Sequence, residues 1–197
     1  MITTIIFDVG GVFVRGPFDN FLKKVSEIVG FEIKKDSSFR EIAGDWMRGK
    51  YTFKEFIEKI TGTAISEENN KKIFGLWIKN WELDFDMVVF AKKLRPKYKL
   101  VILSNADREG IENSGRDNRL DFFDQKFHSF DLGMVKPDME IYEYVLKELN
   151  AKSEECVFID DKAENIEAAE KLGIHGIVFE NKEQLKQDLE ELGVTVG

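Results

Sequence analysis

The chain has 197 residues, which corresponds to one domain, or to one domain with a modest insertion, at roughly 150 residues per domain. Hydrophobic residues make up 43% and charged residues 34%, proportions that exclude a disordered or collagen-like chain. The net charge of -8 argues against a general nucleic-acid binder or a protein that binds anionic membranes. No apolar run reaches the ~18 residues of a membrane span.

The beginning of the chain predicts a buried parallel strand over Ile2 to Asp8. The run is short, β-branched and continuous, and Gly10 and Gly11 follow it. It has no basic leader, so we expect that it is not a signal peptide. The single cysteine, Cys156, cannot form an internal disulfide, which favours a reducing, cytoplasmic compartment.

A long helical insertion follows this strand. Residues 17–95 contain no convincing strand, and their apolar residues recur with helical spacing. A direct crossover needs only about a dozen residues, so we predict that residues 17–85 form a helical cap above the strand ends. The first predicted helix spans 18–30. The second begins at the capping box of Ser38 to Glu41 and ends near Gly49, and the third begins at the capping box of Thr52 to Glu55 and ends near Gly62. Two more helices are predicted over 66–81 and 86–95.

Strands and helices alternate in the second half of the chain. Helices are predicted over 139–149 and 164–172. The strands are predicted over Tyr98 to Leu103, Cys156 to Ile159 and Gly176 to Phe179, with a weaker candidate over Lys126 to Phe130. This alternation predicts an α/β fold, a Rossmann-like parallel sheet sandwich at 1–16 and 86–197 with the α-helical cap inserted at 17–85.

Polar residues follow the ends of the predicted strands. In an open parallel sheet, ligands bind outside the carboxyl ends of the strands, where loops from both faces diverge. We therefore expect these residues to share one crevice. They are Asp8 after the first strand, Ser104 and Asn105 after the second, Lys136 in the loop after the third, and Asp160 and Asp161 after the fourth.

This set of side chains suits the chemistry of phosphate. Carboxylates at such density repel one another unless a cation lies among them, and oxygen ligands suit Mg²⁺. Lys136 would neutralise phosphoryl oxygens and restrain a carboxylate, while Ser104 and Asn105 would donate hydrogen bonds to the phosphate. Asp8 is the candidate nucleophile, which attacks phosphorus in line and gives an aspartyl-phosphate.

Each residue also has a purely structural interpretation. Asp161 fits the N-cap of the helix that follows it. Asp8 fits a solvated charge at a strand end, and Lys136 fits a surface lysine. Gly10 and Gly11 are typical of a tight turn.

The order and context of these residues resemble the haloacid dehalogenase-like hydrolase superfamily. The segments that carry the resemblance are Phe7 to Val12, Leu103 to Asn105, Asp131 to Asp138, and Phe158 to Asp161 with Asn165 after it. The resemblance covers essentially the whole chain, including the inserted cap. Within the superfamily the chain is most similar to the small phosphatases related to bacterial glucose-1-phosphatase and to the N-terminal phosphatase domain of soluble epoxide hydrolase.

The resemblance implies a Mg²⁺-dependent phosphomonoesterase. We expect it to act on a small phosphorylated substrate, as a monomer or a homodimer. Asp8 would be the nucleophile, Ser104 and Asn105 the phosphate binders and Lys136 the charge-neutralising lysine, while Asp8, Asp161, Asp160 and the carbonyl of Gly10 would hold the metal.

Gly10 departs from the family pattern, which has a second aspartate two residues after the nucleophile as general acid and base. Losing that side chain typically costs roughly 10²–10⁴-fold in rate. Two alternatives therefore stay open. One is a metal-free 2-haloacid dehalogenase, which Asp160 and Asp161 disfavour because an extra acid without a metal repels a carboxylate substrate. The other is a non-catalytic binding protein of the same fold, which Gly10 favours.

Overall fold

A computed structural model of the chain describes residues 1–16, 18–79 and 82–196. The strands are β1 (Thr4–Phe7), β2 (Val14–Arg15), β3 (Glu82–Leu83), β4 (Lys99–Ser104), β5 (Gln125–His128), β6 (Cys156–Asp160) and β7 (His175–Val178). The helices are α1 (Phe18–Val29), α2 (Ser37–Met47), α3 (Phe53–Thr61), α4 (Glu67–Lys79), α5 (Phe85–Leu94), α6 (Arg108–Ser114), α7 (Arg116–Arg119), α8 (Ser129–Leu132), α9 (Met139–Leu149), α10 (Ala163–Glu170) and α11 (Lys182–Glu191).

Five of these strands form a parallel sheet in the order β5-β4-β1-β6-β7. β1 lies at its centre, where Ile6 pairs with Val101 of β4 on one side and with Phe158 of β6 on the other. Because all neighbouring strands run parallel, their carboxyl ends lie along the same edge. The predicted α/β sandwich is confirmed, and each predicted strand is present within a few residues of its expected bounds.

Helices cover both faces of the sheet. Successive side chains of a strand point to opposite faces, so Ile5 and Phe7 join one hydrophobic cluster while Ile6 joins another. Residues of α5 and α11 belong to the first cluster, and residues of α9 and α10 belong to the second. Burial of each such side chain contributes about 1.5–3 kcal/mol, and the rigid sheet that results fixes the loops at its carboxyl edge.

Helices α1 to α4 enclose a third hydrophobic cluster of their own. Its centre is aromatic: Trp46 stacks on Phe56 with ring centroids 4.0 Å apart, and Trp77 lies 5.5 Å from Trp46. A separate cluster supports the predicted division into a core at 1–16 and 86–197 and a cap at 17–85, which stays a prediction. Pro17 and Trp81, at the expected limits of the cap and of its last helix, lie outside the described residues.

The two capping boxes have different outcomes. Thr52 and Glu55 form the predicted box at the start of α3, and Gly62 ends that helix with φ of 65°. The prediction of a capping box at Ser38 and Glu41 is wrong. Asp36 is the N-cap of α2, because its carboxylate accepts from the N–H of Phe39 three residues on, and Ser38 therefore lies inside the helix.

The prediction that residues 17–95 hold no strand is wrong at β3. Its two residues pair antiparallel with β2, Val14 with Leu83 and Arg15 with Glu82. A two-residue strand is too short to show a periodicity, so the sequence carries no signal for it. Among the helices that the structure describes, none is long and apolar enough to cross a membrane.

Candidate active site

Lys136 is the centre of a buried network at the carboxyl edge of the sheet. Its ammonium donates to the carbonyl of Leu103 at 2.9 Å and to Asp160 Oδ2 at 2.7 Å, and it lies 2.9 Å from Asp8 Oδ1. Only 1% of the lysine side chain is exposed, so the interpretation as a surface lysine is wrong. An ammonium has three N–H donors, and these contacts occupy all three.

The charges of this network stabilise one another against burial. Burial disfavours the charged form of Lys136, yet the carboxylates of Asp8 and Asp160 hold its pKa above the usual value. Burial also raises the pKa of Asp8 to about 6; the charge of Lys136 lowers it and that of Asp160 raises it. Asp8 is thus a buried carboxyl in direct contact with a cation, not a solvated charge at a strand end.

Asp160 and Asp161 are adjacent in the chain but have different surroundings. Asp160 is fully buried, and besides Lys136 it accepts from the amide of Asn165 at 2.9 Å and from the N–H of Lys162 at 2.9 Å. Asp161 is exposed and lines the cavity above the sheet. Its interpretation as an N-cap is wrong, because the N-cap position of α10 belongs to Lys162.

The three aspartates form a site that suits a divalent cation. One carboxylate oxygen from each of Asp8, Asp160 and Asp161 lies within 4.8 Å of the other two. Although Asp161 is exposed, the protein around its carboxylate removes part of its hydration, and this desolvation and the charge of Asp160 raise its pKa, a repulsion that a cation would relieve. A hard oxygen donor set of this kind fits Mg²⁺.

Gly11 is required by the position of Asp161. Its φ is +77°, and a Cβ at this position would lie 2.3 Å from Asp161 Cγ. Gly10 has no such constraint, since the nearest atom to a Cβ there is Asp8 Oδ2 at 3.8 Å. The glycine pair therefore does more than form a tight turn: Gly11 lets the main chain approach the carboxylate of Asp161.

Ser104 and Asn105 stand at the end of β4, as the sequence predicts. Ser104 is buried and lines the cavity. The side chain of Asn105 is engaged with the main chain of Lys136: its amide donates to the carbonyl of Lys136 at 2.8 Å, and its oxygen accepts from the N–H of Lys136 at 2.9 Å. Asn105 therefore fixes the loop that carries the lysine.

These residues surround a cavity of about 400 Å³. The sheet side of its lining includes Asp8, Gly10, Gly11, Ser104, Asn105, Lys136 and Asp161. The opposite side includes Phe18, Trp46, Met47 and Trp77 from the helical insertion. Asp160 is absent from the described lining and lies behind Lys136. The structure therefore brings the six predicted side chains together, with five of them at the cavity and Asp160 beneath them.

Residues 2–173 match the family model of the haloacid dehalogenase-like hydrolases. The chain belongs to this family. The resemblance expected from the motifs around Asp8, Ser104, Lys136 and Asp160 is confirmed.

Two relatives are a phosphatase and a bifunctional epoxide hydrolase. The chain is 26% identical over 203 residues to D-ribitol-5-phosphate phosphatase of Bacteroides thetaiotaomicron, a match that covers 96% of this chain and 97% of the relative. It is 26% identical over 163 residues to bifunctional epoxide hydrolase 2 of Rattus norvegicus, covering 74% of this chain and 29% of the relative. The chain spans less than a third of the length of the first curated relatives that it matches.

A solved structure shares the fold. A HAD family enzyme of Bacteroides thetaiotaomicron, in complex with magnesium and inorganic phosphate, superposes with a TM-score of 0.75 and 22% identity over 94% of this chain and 99% of that one. At this identity the likeness shows the fold of the family, and the ligands belong to that enzyme.

One pair of residues at the cavity was not predicted from the sequence. The indole N–H of Trp77, in α4, donates to Asp107 Oδ2 at 3.0 Å, and the other oxygen of Asp107 accepts from the N–H of Gly110 at 2.6 Å. Asp107 is the N-cap of α6 and lines the cavity next to Ser104 and Asn105. Its spacing to Gly110 signals only a helix start, and the partner 30 residues away has no local signature.

Proposed function

We propose that this chain is a Mg²⁺-dependent phosphomonoester hydrolase that acts on a small phosphorylated metabolite through an aspartyl-phosphate at Asp8. The observation that carries the proposal is the Lys136 ammonium, which contacts both Asp8 and Asp160 beneath the cavity. That contact holds the Asp8 carboxylate in a single orientation. The full-length similarity to a sugar-alcohol phosphatase supports the same reaction class.

In the proposed mechanism, one oxygen of Asp8 attacks the phosphorus, and the ester oxygen leaves with the electron pair of its bond to phosphorus and takes a proton from water. A water molecule then attacks the phosphorus of the acyl phosphate and loses a proton to solvent, which releases inorganic phosphate and restores the Asp8 carboxylate. Asp8, Asp161 and the carbonyl of Gly10 would hold Mg²⁺, with Asp160 fixing Lys136 beside them. The metal would neutralise phosphate charge and keep Asp8 ionised at neutral pH.

The remaining residues have positioning or binding roles in this proposal. Lys136 has its three donors engaged by Leu103, Asp160 and Asp8, so it acts as a fixed positive charge behind the nucleophile. Ser104 would donate from its hydroxyl to a phosphate oxygen. Asn105 would support the phosphate from its main chain, because its side chain already holds the backbone of Lys136.

The test is phosphate release from p-nitrophenyl phosphate and from a panel of phosphometabolites, measured with Mg²⁺ and with a chelator. We expect Mg²⁺-stimulated release that Asp8→Asn abolishes while circular dichroism stays that of the parent. Asp121→Asn, the same change at an exposed surface carboxylate, serves as the control and keeps full activity. Chelator-insensitive halide release from a 2-haloacid would favour the dehalogenase, and no turnover of either kind would favour a binding protein.

A further inference from the structure

The cavity has two chemically distinct sides. Carboxylates, the lysine and Ser104 lie at the sheet, whereas each lining residue that the structure describes between 18 and 79 is apolar or aromatic. These four residues, Phe18, Trp46, Met47 and Trp77, are called the apolar wall below. A phosphate held at Asp8 would direct its ester substituent away from the sheet and toward this wall.

The apolar wall is rigid. Trp77 contacts Phe18 at 5.8 Å and Trp46 at 5.5 Å between ring centroids, and Trp46 in turn stacks on Phe56 in the helical insertion. Phe18 and Met47 are half-buried, while the two tryptophans are buried behind them. A ligand would therefore contact apolar side chains that are already packed, and its binding would need little rearrangement of these side chains.

Two polar groups of the apolar wall, on Trp77 and Met47, are already engaged within the protein. The indole N–H of Trp77 donates to Asp107. The main-chain carbonyl of Met47 accepts from the hydroxyl of Ser129 at 2.6 Å, and that hydroxyl oxygen also accepts from the N–H of Ala106 at 3.0 Å. Hydroxyl groups of a substrate placed against the carbon atoms of Trp77 and Met47 would lose hydrogen bonds to water without regaining them there, whereas an alkyl or aryl group would lose none.

We infer that the substrate is a phosphate monoester whose organic group is apolar, a hydrocarbon chain or ring, and not a polyol or sugar. The inference rests on the proposed phosphatase function and adds the chemical class of the leaving group. The charged residues at the sheet and the apolar wall together favour an amphiphilic ester. The phosphate would bind at the sheet, and the hydrocarbon part would be buried against the apolar wall.

The decisive experiment compares n-pentyl phosphate with D-ribitol 5-phosphate. Both are esters of a primary alcohol with a five-carbon chain, so they differ mainly in the hydroxyl groups of the organic part. We expect kcat/KM to be at least about tenfold higher for n-pentyl phosphate, because buried hydroxyls without partners oppose binding of the polyol in the transition state. Equal values, or a preference for ribitol 5-phosphate, would overturn the inference.

A matched pair of variants assigns the preference to the apolar wall. Met47→Gln keeps the length of the side chain and adds a polar end at the cavity, and Met139→Gln makes the same change at a half-buried methionine outside the described lining. We expect Met47→Gln to reduce the preference for n-pentyl phosphate by about tenfold and Met139→Gln to leave it unchanged. Equal effects of the two variants would show that the wall does not select the substrate.

The two proposals fail in different ways. Absence of phosphate release from every ester, including p-nitrophenyl phosphate, contradicts the phosphatase function itself. Release from p-nitrophenyl phosphate together with a preference for the polyol ester leaves the phosphatase function intact and contradicts only the apolar substrate class.

Discussion

Gly10 and Gly11 have unlike surroundings although they are neighbours. Gly11 has a left-handed backbone and lies against Asp161, so a side chain there displaces a proposed metal ligand. Gly10 has neither constraint, and a Cβ would meet only Asp8 Oδ2, at an ordinary contact distance of 3.8 Å. Crowding of a Cβ therefore does not explain why the general acid of the family pattern is missing at this position.

Gly10→Asp is predicted to restore the missing acid. Without a proton donor, a phosphatase cleaves aryl phosphates, which leave as stable phenolates, much faster than alkyl phosphates. The new carboxyl would protonate an alkoxide, so we expect turnover of n-pentyl phosphate to rise by up to ~10²–10⁴-fold while that of p-nitrophenyl phosphate changes little. The measurement is kcat for both esters, after circular dichroism has shown that the variant is folded.

Gly11→Ala is the steric control for that change. It adds a single methyl group at the neighbouring position, where the methyl would lie 2.3 Å from Asp161 Cγ, and we expect weaker Mg²⁺ binding and lower activity on both esters. A folded Gly10→Asp protein with no gain on any alkyl phosphate would show that the acid is supplied from elsewhere or is not needed.

Residue identities could be predicted from the sequence more completely than residue roles. Asp8, Ser104, Lys136 and Asp161 stand at the cavity because strand ends in a parallel sheet share one edge. The difference between Asp160 and Asp161 could not be predicted. It depends on which carboxylate faces the amide of Asn165 and the ammonium of Lys136, and this is decided by packing across strands.

A buried hydrogen bond links helix α4 to the segment that follows β4. Trp77 donates to Asp107, which also caps α6, and a Cβ at Gly110 would lie 2.4 Å from Asp107 Oδ2. Glu109 adds a contact from the same short helix, accepting from the N–H of Phe53 at the start of α3. The segment after β4 thus contacts two helices of the insertion, α3 and α4.

Trp77→Phe is predicted to remove this hydrogen bond while keeping an aromatic ring in the apolar wall. The ring remains, but Asp107 Oδ2 loses a donor in a buried position, so the free energy of unfolding should fall by about 1–3 kcal/mol. Urea denaturation measures the change. A double-mutant cycle with Asp107→Ala should give a coupling energy of about 0.5–3 kcal/mol, and additivity of the two variants would mean that the hydrogen bond contributes nothing.

At the level of elements, long amphipathic segments were predictable and short ones were not. The run before Asp8 is recognised because it is continuously apolar and β-branched, and the stripe that ends at Gly30 extends over enough residues for a helical period to show. β3 has only two residues and exists because β2 pairs with it. Asp36, and not Ser38, is the N-cap of α2. Either residue type suits this position, so the sequence alone does not decide between them.

The whole molecule concentrates negative charge at one edge of the sheet. Strand order β5-β4-β1-β6-β7 puts β1 beside β6, so the loop carrying Asp8 lies next to the loop carrying Asp160 and Asp161. Lys136, from the loop beyond β5, contributes the one ammonium that contacts this cluster among the described residues. The excess of carboxylate is a cost to folding that a bound cation would offset.

Mg²⁺ is therefore predicted to stabilise the folded chain, and the two adjacent aspartates should respond oppositely when changed. At a concentration of 100 Kd the metal adds about 2.7 kcal/mol, which raises Tm by roughly 5–10 °C for a domain of this size. Asp161→Asn removes a cavity-facing charge, so we expect the metal-free protein to keep its stability and the Mg²⁺-dependent shift to disappear. Differential scanning calorimetry with and without Mg²⁺ measures both quantities.

Asp160→Asn is the matched comparison, the same change one residue earlier. It removes one of the two carboxylates paired with the buried Lys136, and because Asp8 still pairs with the lysine, the cost lies below the about 3–5 kcal/mol of an unpaired buried charge, while Tm of the metal-free protein should still fall. If both variants instead kept the full Mg²⁺-dependent shift, the metal would bind away from this cluster. If Asp161→Asn lowered Tm equally with and without Mg²⁺, Asp161 would be a structural residue. The proposal that Asp161 binds the metal while Asp160 fixes Lys136 would then be wrong.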